Sequence, residues 1–291
     1  MTQKEFAAMA ENHIILLDGA TGTNMFRAGM PRHTCAEAWI LEHPDVILDL
    51  QRAYAAAGSR IIYAPTFSAN RISLGKYHLE QETERLNTGL VALSRQAAGP
   101  DVLVAGDMTT TGEMLDPLGD LEEEELLDAY REQAGYLEKA GVDLFVAETL
   151  MSVREAELAL QAVRSVSSKP FMCTLTVQEN GRAWFGGTAV ELAEKLQEQG
   201  ADAVGVNCSG GPEQMLPVIA GMTAAAHIPV IAKPNAGLPV SDGQGNSTYS
   251  MGPEEFSGHM RRIIDAGARI IGGCCGTTPA FIRECAVIAG V

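Results

Sequence analysis

Lys139-Ala-Gly-Val-Asp-Leu-Phe-Val-Ala-Glu-Thr149 joins the end of a helix to a buried strand through one glycine. Upstream, Leu126, Leu127, Tyr130, Ala134 and Leu137 recur at helical intervals, so the spacing predicts a helix from Leu121 to Lys139. Downstream, Asp143 to Thr149 is a continuous apolar run rather than an alternating one. That is the pattern of a parallel strand covered on both faces. The same join returns as Ala57-Gly-Ser-Arg60, Gln199-Gly-Ala-Asp202 and Ala266-Gly-Ala-Arg269. A recurring helix–glycine–strand phrase marks a repeated βα unit.

Working outward, eight apolar runs predict eight strands: 13–18, 60–66, 101–107, 143–149, 170–177, 202–208, 228–235 and 269–274. Helix-like segments separate them. The expected fold is therefore α/β, a (β/α)8 TIM barrel forming a single domain over residues 1–291, a length that such barrels reach. The rival is an open, doubly wound sheet. The polar, glycine-rich segment 234–248 reads as a lid over one end.

Composition narrows the function. The net charge of −16 counts against nucleic acid and anionic membrane surfaces, which require clustered Lys and Arg. Glu122-Glu-Glu-Glu125 fits the first turn of a helix, where acids oppose the helix dipole. No apolar run approaches the roughly 20 residues of a membrane span. The N-terminal segment lacks a secretory pattern, so the expected location is cytoplasmic. In a reducing compartment six cysteines do not read as a disulfide framework. Cys35, Cys173 and Cys285 are expected to be ordinary residues, the last two as small core hydrophobes.

In a barrel the functional groups lie at the C-terminal strand ends. Those ends read Asp18, Thr66, Asp107, Glu148, Thr176, Cys208, Asn235 and Cys274. Cys208 and the pair Cys274-Cys275 close strands six and eight, too far apart in sequence for a local zinc finger. Converging at the barrel mouth, three thiolates would bind Zn²⁺ and leave one position open for a thiol substrate. Gly272, Gly273 and Gly276 would let the chain bend so that both adjacent cysteines face one ion. No histidine lies at a strand end, and His-Glu-x-x-His, Gly-x-Ser-x-Gly and phosphate-loop patterns are absent. Asp18-Gly-Ala-Thr-Gly-Thr23 reads either as a tight turn or as a backbone N–H cradle for a carboxylate. Asp18 and Glu148 would then face an ammonium group. An amino acid carrying a thiol satisfies all three features.

These motifs resemble the homocysteine S-methyltransferase family over nearly the whole chain. The resemblance rests on Asp18-Gly-Ala-Thr-Gly-Thr-Asn-Met25, Thr66-Phe67, Ala147-Glu-Thr149, Gly205-Val-Asn-Cys208, Lys233-Pro-Asn-Ala-Gly237 and Gly272-Gly-Cys-Cys-Gly-Thr-Thr-Pro279. It implies a zinc-dependent enzyme that methylates L-homocysteine to methionine, with Cys208, Cys274 and Cys275 on the metal. It assigns Asp18, Gly19, Ala20, Thr21 and Glu148 to homocysteine, with Asn207 and Asn235 as supporting contacts. The strand-one motif is more similar to the homocysteine module of cobalamin-dependent methionine synthase than to S-methylmethionine enzymes, which usually carry Asp-Gly-Gly there. The sequence holds no Asp-x-His-x-x-Gly cobalamin loop. The expected donor is therefore a methyl-corrinoid (cobalamin) on a separate protein. Three readings rival this one: an S-methylmethionine donor, a selenohomocysteine acceptor, and a non-catalytic zinc- or thiol-binding barrel.

Overall fold

The computed structural model describes residues 1–241 and 247–291. Eight parallel strands form one sheet: β1 Ile15–Leu16, β2 Ile61–Tyr63, β3 Leu103–Met108, β4 Leu144–Leu150, β5 Phe171–Leu175, β6 Ala203–Asn207, β7 Val230–Lys233 and β8 Ile270–Ile271. Six fall within the stretches that the sequence predicts, and β3 and β4 run one residue past theirs, to Met108 and Leu150. Their order is β1-β8-β7-β6-β5-β4-β3-β2, so every strand from β2 to β7 neighbours its sequence successor and β8 returns to β1. Ile15 lies opposite Ile270, and Ile270 opposite Ile231. β1 and β2 share no ladder, but the Arg60 N–H donates to Leu16 C=O at 2.7 Å and Ser59 Oγ to Leu17 C=O at 3.1 Å. These bonds draw the sheet into a nearly closed barrel rather than the open rival.

The predicted helix over 121–139 is observed as Glu123–Ala140, with Glu123, Glu124 and Glu125 in its first turn. The four recurring glycines, Gly58, Gly141, Gly200 and Gly267, all have φ between +82° and +108°. Each reverses the chain from helix to strand in the left-handed region, where a Cβ would be strained.

Strand side chains divide by parity. Ile15, Leu17, Ile61, Tyr63, Leu144, Val146, Met172, Ala203, Ile231 and Ile270 form one cluster inside the barrel. Their neighbours Leu16, Ile62, Val104, Phe145, Phe171, Val204 and Ile271 face the helices in a second. Helix Gln3–Asn12, begun by a Thr2–Glu5 capping box, brings Phe6 and Ala10 into the inner cluster. Cys173 and Cys285 are fully buried in the outer cluster, as core hydrophobes. Among the described residues, no helix is long and apolar enough to cross a membrane. The small antiparallel pair Val240–Ser241 and Ser247–Thr248 flanks residues 242–246. The centre of the expected lid therefore lies outside the described residues.

Candidate active site

The inward parity that builds the core changes character at the last layer. Two residues beyond Ala105 the inward position of β3 is Asp107, and two beyond Val146 that of β4 is Glu148. β6 ends on Asn207 and β7 on Lys233 by the same count. All four are buried. They underlie a cavity of about 540 Å³ at the C-terminal strand ends, large enough for a small ligand and part of a second.

Of the strand-end residues singled out above, Asp18, Asp107, Glu148, Cys208 and Cys274 line this cavity, with Cys275 and the segment Gly19–Thr23. Thr66, Thr176, Asn207 and Asn235 do not. Thr66 instead pins Asp107: its Oγ1 accepts the Asp107 N–H at 3.1 Å and donates to the Asp107 C=O at 2.7 Å.

The three cysteine sulfurs lie within 4.8 Å of one another, and Cys208 Sγ is 3.5 Å from Cys275 Sγ. Tetrahedral zinc with Zn–S bonds of about 2.3 Å places its sulfurs about 3.8 Å apart. The spacing and the soft donor set both fit that ion. β8 has already ended at Ile271, so the cysteine pair sits in the turn after Gly272-Gly273, not on the strand itself. The Gly273 N–H donates to Asp18 C=O at 3.1 Å and the Cys274 N–H to Pro234 C=O at 2.7 Å. Cys208 is held at φ +53°, outside the comfortable range of an L-residue. Its N–H donates to Lys233 C=O at 3.2 Å and its own C=O accepts from Asn235 Nδ2 at 3.4 Å.

Protons are unevenly shared in this cluster. The Cys275 thiol is pushed down to about 3, because Cys208, Cys274 and Tyr249 donate hydrogen bonds to it. Cys274 is held well above its ordinary value by hydrogen bonds to Cys208 and Cys275 and by burial. One thiolate forms readily, while ionising all three calls for a cation between them.

Lys233 was not singled out as a functional group by the sequence reading. It is 4% exposed, with Nζ 3.3 Å from Asp18 Oδ1, 3.4 Å from Glu148 Oε2 and 3.9 Å above the Tyr63 ring centroid. Burial alone would lower its pKa, but Glu148 and Asp18 overcome that and hold the ammonium well above the usual range. Asp18 Oδ2 accepts the Tyr63 N–H at 2.8 Å. The expected acidic pair is present, and it already shares a lysine. A lysine ending an otherwise apolar run was the available signal.

Tyr249 was also missed. It follows the segment expected to act as a lid, and its hydroxyl interacts with Cys275. Residues 18–20 are irregular, and helix Gly22–Arg27 starts within the segment, with Thr21 at its N-cap. The Ala20 N–H is taken by Thr277 Oγ1 at 3.0 Å and the Ala20 C=O by Tyr54 Oη at 2.8 Å, so Ala20 contributes shape more than free donors. Asn207 Nδ2 lies 3.3 Å from Glu148 Oε2 and orients that carboxylate from below. Cys35 sits apart from the thiol cluster and lies 3.4 Å from Glu37 Oε2.

Residues 15–288 match the family model described as Homocysteine S-methyltransferase. The chain is 31% identical to a methionine synthase of Mycobacterium tuberculosis and 30% identical to one of Mycobacterium leprae, each over 94% of its own length. It spans about a quarter (24%) of the length of these relatives. Among solved structures, the Escherichia coli homocysteine methyltransferase MmuM in its oxidised form matches with a TM-score of 0.81 at 23% identity, covering 97% of this chain and 98% of that one. The metallated form of MmuM gives 0.79 at 24%, covering 96% and 97%. The carboxyl transferase domain of Rhizobium etli pyruvate carboxylase gives 0.56 at 16%, over 99% of this chain and 49% of that one. At these identities the structural likeness is one of fold.

Proposed function

The chain belongs to the homocysteine S-methyltransferase family, and on that premise we propose that it transfers a methyl group to the thiol of L-homocysteine, giving methionine, with a methyl-corrinoid carried by a separate protein as donor. The observation that carries the acceptor half is the cluster of three sulfurs within 4.8 Å on the wall of a cavity that also holds acids and an ammonium. Cys208, Cys274 and Cys275 would hold the zinc. Bound there, zinc supplies the Lewis acidity that keeps a fourth, substrate thiol ionised at neutral pH.

The remaining work falls to the chain's own residues. Glu148, steadied by Asn207 and Lys233, offers a carboxylate to the substrate ammonium. Asp18 stands beside it in the same network. Gly19, Ala20 and Thr21 form the wall on which the substrate carboxylate would rest, at the start of helix Gly22–Arg27. Asn235 supports Cys208 through its carbonyl. Held at both ends, the substrate directs its sulfur at the donor. The C–S bond forms as the cobalt–methyl bond breaks, the bonding pair stays on cobalt, and the thiol proton leaves to solvent. No protein nucleophile takes part.

Support for a macromolecular donor comes from the mouth. Among the described residues, eight of the ten exposed large apolar side chains lie in segments between a strand and the helix packed after it: Phe26 after β1, Tyr77 after β2, Met114 and Leu118 after β3, Trp184 and Phe185 after β5, Leu238 and Val240 after β7; Val287 and Val291 belong to the C-terminal end. Leu118 and Trp184 are 59% and 57% exposed. Exposed apolar side chains at the C-terminal strand ends suit a protein surface better than a small sulfonium cation. The test is methionine formation from homocysteine with methylcobalamin, S-methylmethionine, betaine or methyltetrahydrofolate as the candidate donor. Methylcobalamin should support turnover with the appearance of cob(I)alamin absorbance. Efficient transfer from S-methylmethionine, with none from methylcobalamin free or protein-bound, would overturn the donor assignment.

A further inference from the structure

The cavity floor holds more buried acid than base. Lys233 pairs with Asp18 and Glu148. Lys76, the other lysine on the wall, is held by Glu113 at 2.7 Å. Asp107 is left over. It is 4% exposed, its Oδ1 is sealed from solvent, and no hydrogen-bond donor reaches that oxygen among the described residues. Thr66 Oγ1 fixes its backbone on both sides, holding the residue at the cavity wall. Burial and the nearby Glu148 charge push its pKa well above the usual carboxylate range. A buried carboxylate oxygen without a partner is costly unless a cation arrives from outside. Asp18 differs: its Oδ2 accepts the Tyr63 N–H, and its Oδ1, though it too accepts no hydrogen bond among the described residues, lies 3.3 Å from the Lys233 ammonium.

Resting on the homocysteine reading above, we infer that Asp107 is a substrate-binding residue whose carboxylate, with Glu148, receives the ammonium of the amino acid, while Asp18 is a positioning residue that acts through Lys233. The cavity is thereby selective for a thiol that carries an ammonium at amino-acid distance from its sulfur, over a simple mercaptan or mercapto acid.

The test measures binding to the zinc-loaded protein by calorimetry, with L-homocysteine and with 4-mercaptobutanoate, which lacks only the amine. Asp107→Asn should weaken homocysteine about tenfold to a hundredfold, the range of a hydrogen bond to a charged group. It should leave 4-mercaptobutanoate binding and zinc content unchanged. Its Tm should stay level or rise, because a neutral amide replaces an unpaired acid. Asp107→Ser carries the same comparison if the amide variant folds poorly. Equal weakening of both ligands would overturn the inference and make Asp107 structural, as would unchanged homocysteine affinity. If the unmodified protein binds 4-mercaptobutanoate as tightly as homocysteine, the amino-acid reading itself falls, and this inference with it.

Discussion

Asn207 grips Thr149 from both sides: its Oδ1 accepts the Thr149 N–H at 2.9 Å, and its Nδ2 donates to Thr149 Oγ1 at 2.7 Å. Thr149 needs the grip. It is β-branched and sits at φ +62°, a conformation that costs of order 1–3 kcal/mol. It lies at the irregularity in the β4–β5 pairing between Ala147 and Leu150, directly after Glu148. Thr174 Oγ1 donates to the same Asn207 Oδ1 at 2.8 Å, so one amide ties β4, β5 and β6 together beneath the site.

Asn207→Ala should therefore strand three polar groups and leave the left-handed conformation of Thr149 unsupported. The expected loss is about 3 kcal/mol, from buried groups left without partners. A lower urea midpoint at unchanged m-value would register it. A shift worth less than about 1 kcal/mol would mean that Thr149 holds this conformation without Asn207.

The three clustered cysteines should behave differently from the three others. Cys208→Ala removes one of three sulfurs that lie within 4.8 Å. After dialysis against a chelator, the variant is expected to have lost most of its zinc affinity. Cys285→Ala, fully buried away from the site, should keep its zinc and lose only about 1 kcal/mol of stability. Elemental analysis of both proteins decides the matter, and full occupancy in Cys208→Ala would remove Cys208 from the ligand set.

Glu37 supplies a pH dependence. Burial raises its pKa, against the opposing pull of backbone hydrogen bonds including that from Ser68 N–H at 2.8 Å. The folded protein thus binds this proton more tightly than the unfolded chain, whose value is about 4.3. Its contribution is full below that value and is lost as pH rises through the folded pKa. Glu37→Gln keeps the acceptor for Ser68 and abolishes the ionisation. The stability of the variant relative to the parent should rise between pH 4 and pH 7 in paired urea melts. A constant difference across that window would contradict the assignment.

At Gly205 the barrel tolerates no side chain. A Cβ there would lie 2.1 Å from the Ile231 carbonyl oxygen, which is backbone and cannot rotate aside. Gly205→Ala must push β6 and β7 apart just below Cys208 and Lys233. A cost of about 3 kcal/mol is expected, at the upper end for an overpacked core. Zinc affinity should fall with it, since both elements carry the site. A Tm within a degree or two of the parent would show that the strands part easily.

The glycine joins and the continuous apolar runs determined the barrel from sequence alone. Parallel strands buried on both faces cannot alternate, and each helix must reverse into the next strand through a left-handed residue. The cysteines, Asp18 and Glu148 were legible because polar groups at the ends of such runs have no structural purpose in the core. Which parity faces inward was not legible, since both faces are apolar. That choice makes Asp107 and Lys233 neighbours of the cavity rather than ends of strands. The left-handed conformations at Thr149 and Cys208 were hidden too, because Asn207 and Thr149 lie 58 residues apart. Cys208 and Cys275 are separated by 67 residues, and only closure of the barrel brings their sulfurs to 3.5 Å. Local pattern depends on neighbours a few residues away, whereas the charge balance of the site arises from side chains on β2, β3, β4 and β7 and the segment after β1, which meet only in the folded chain.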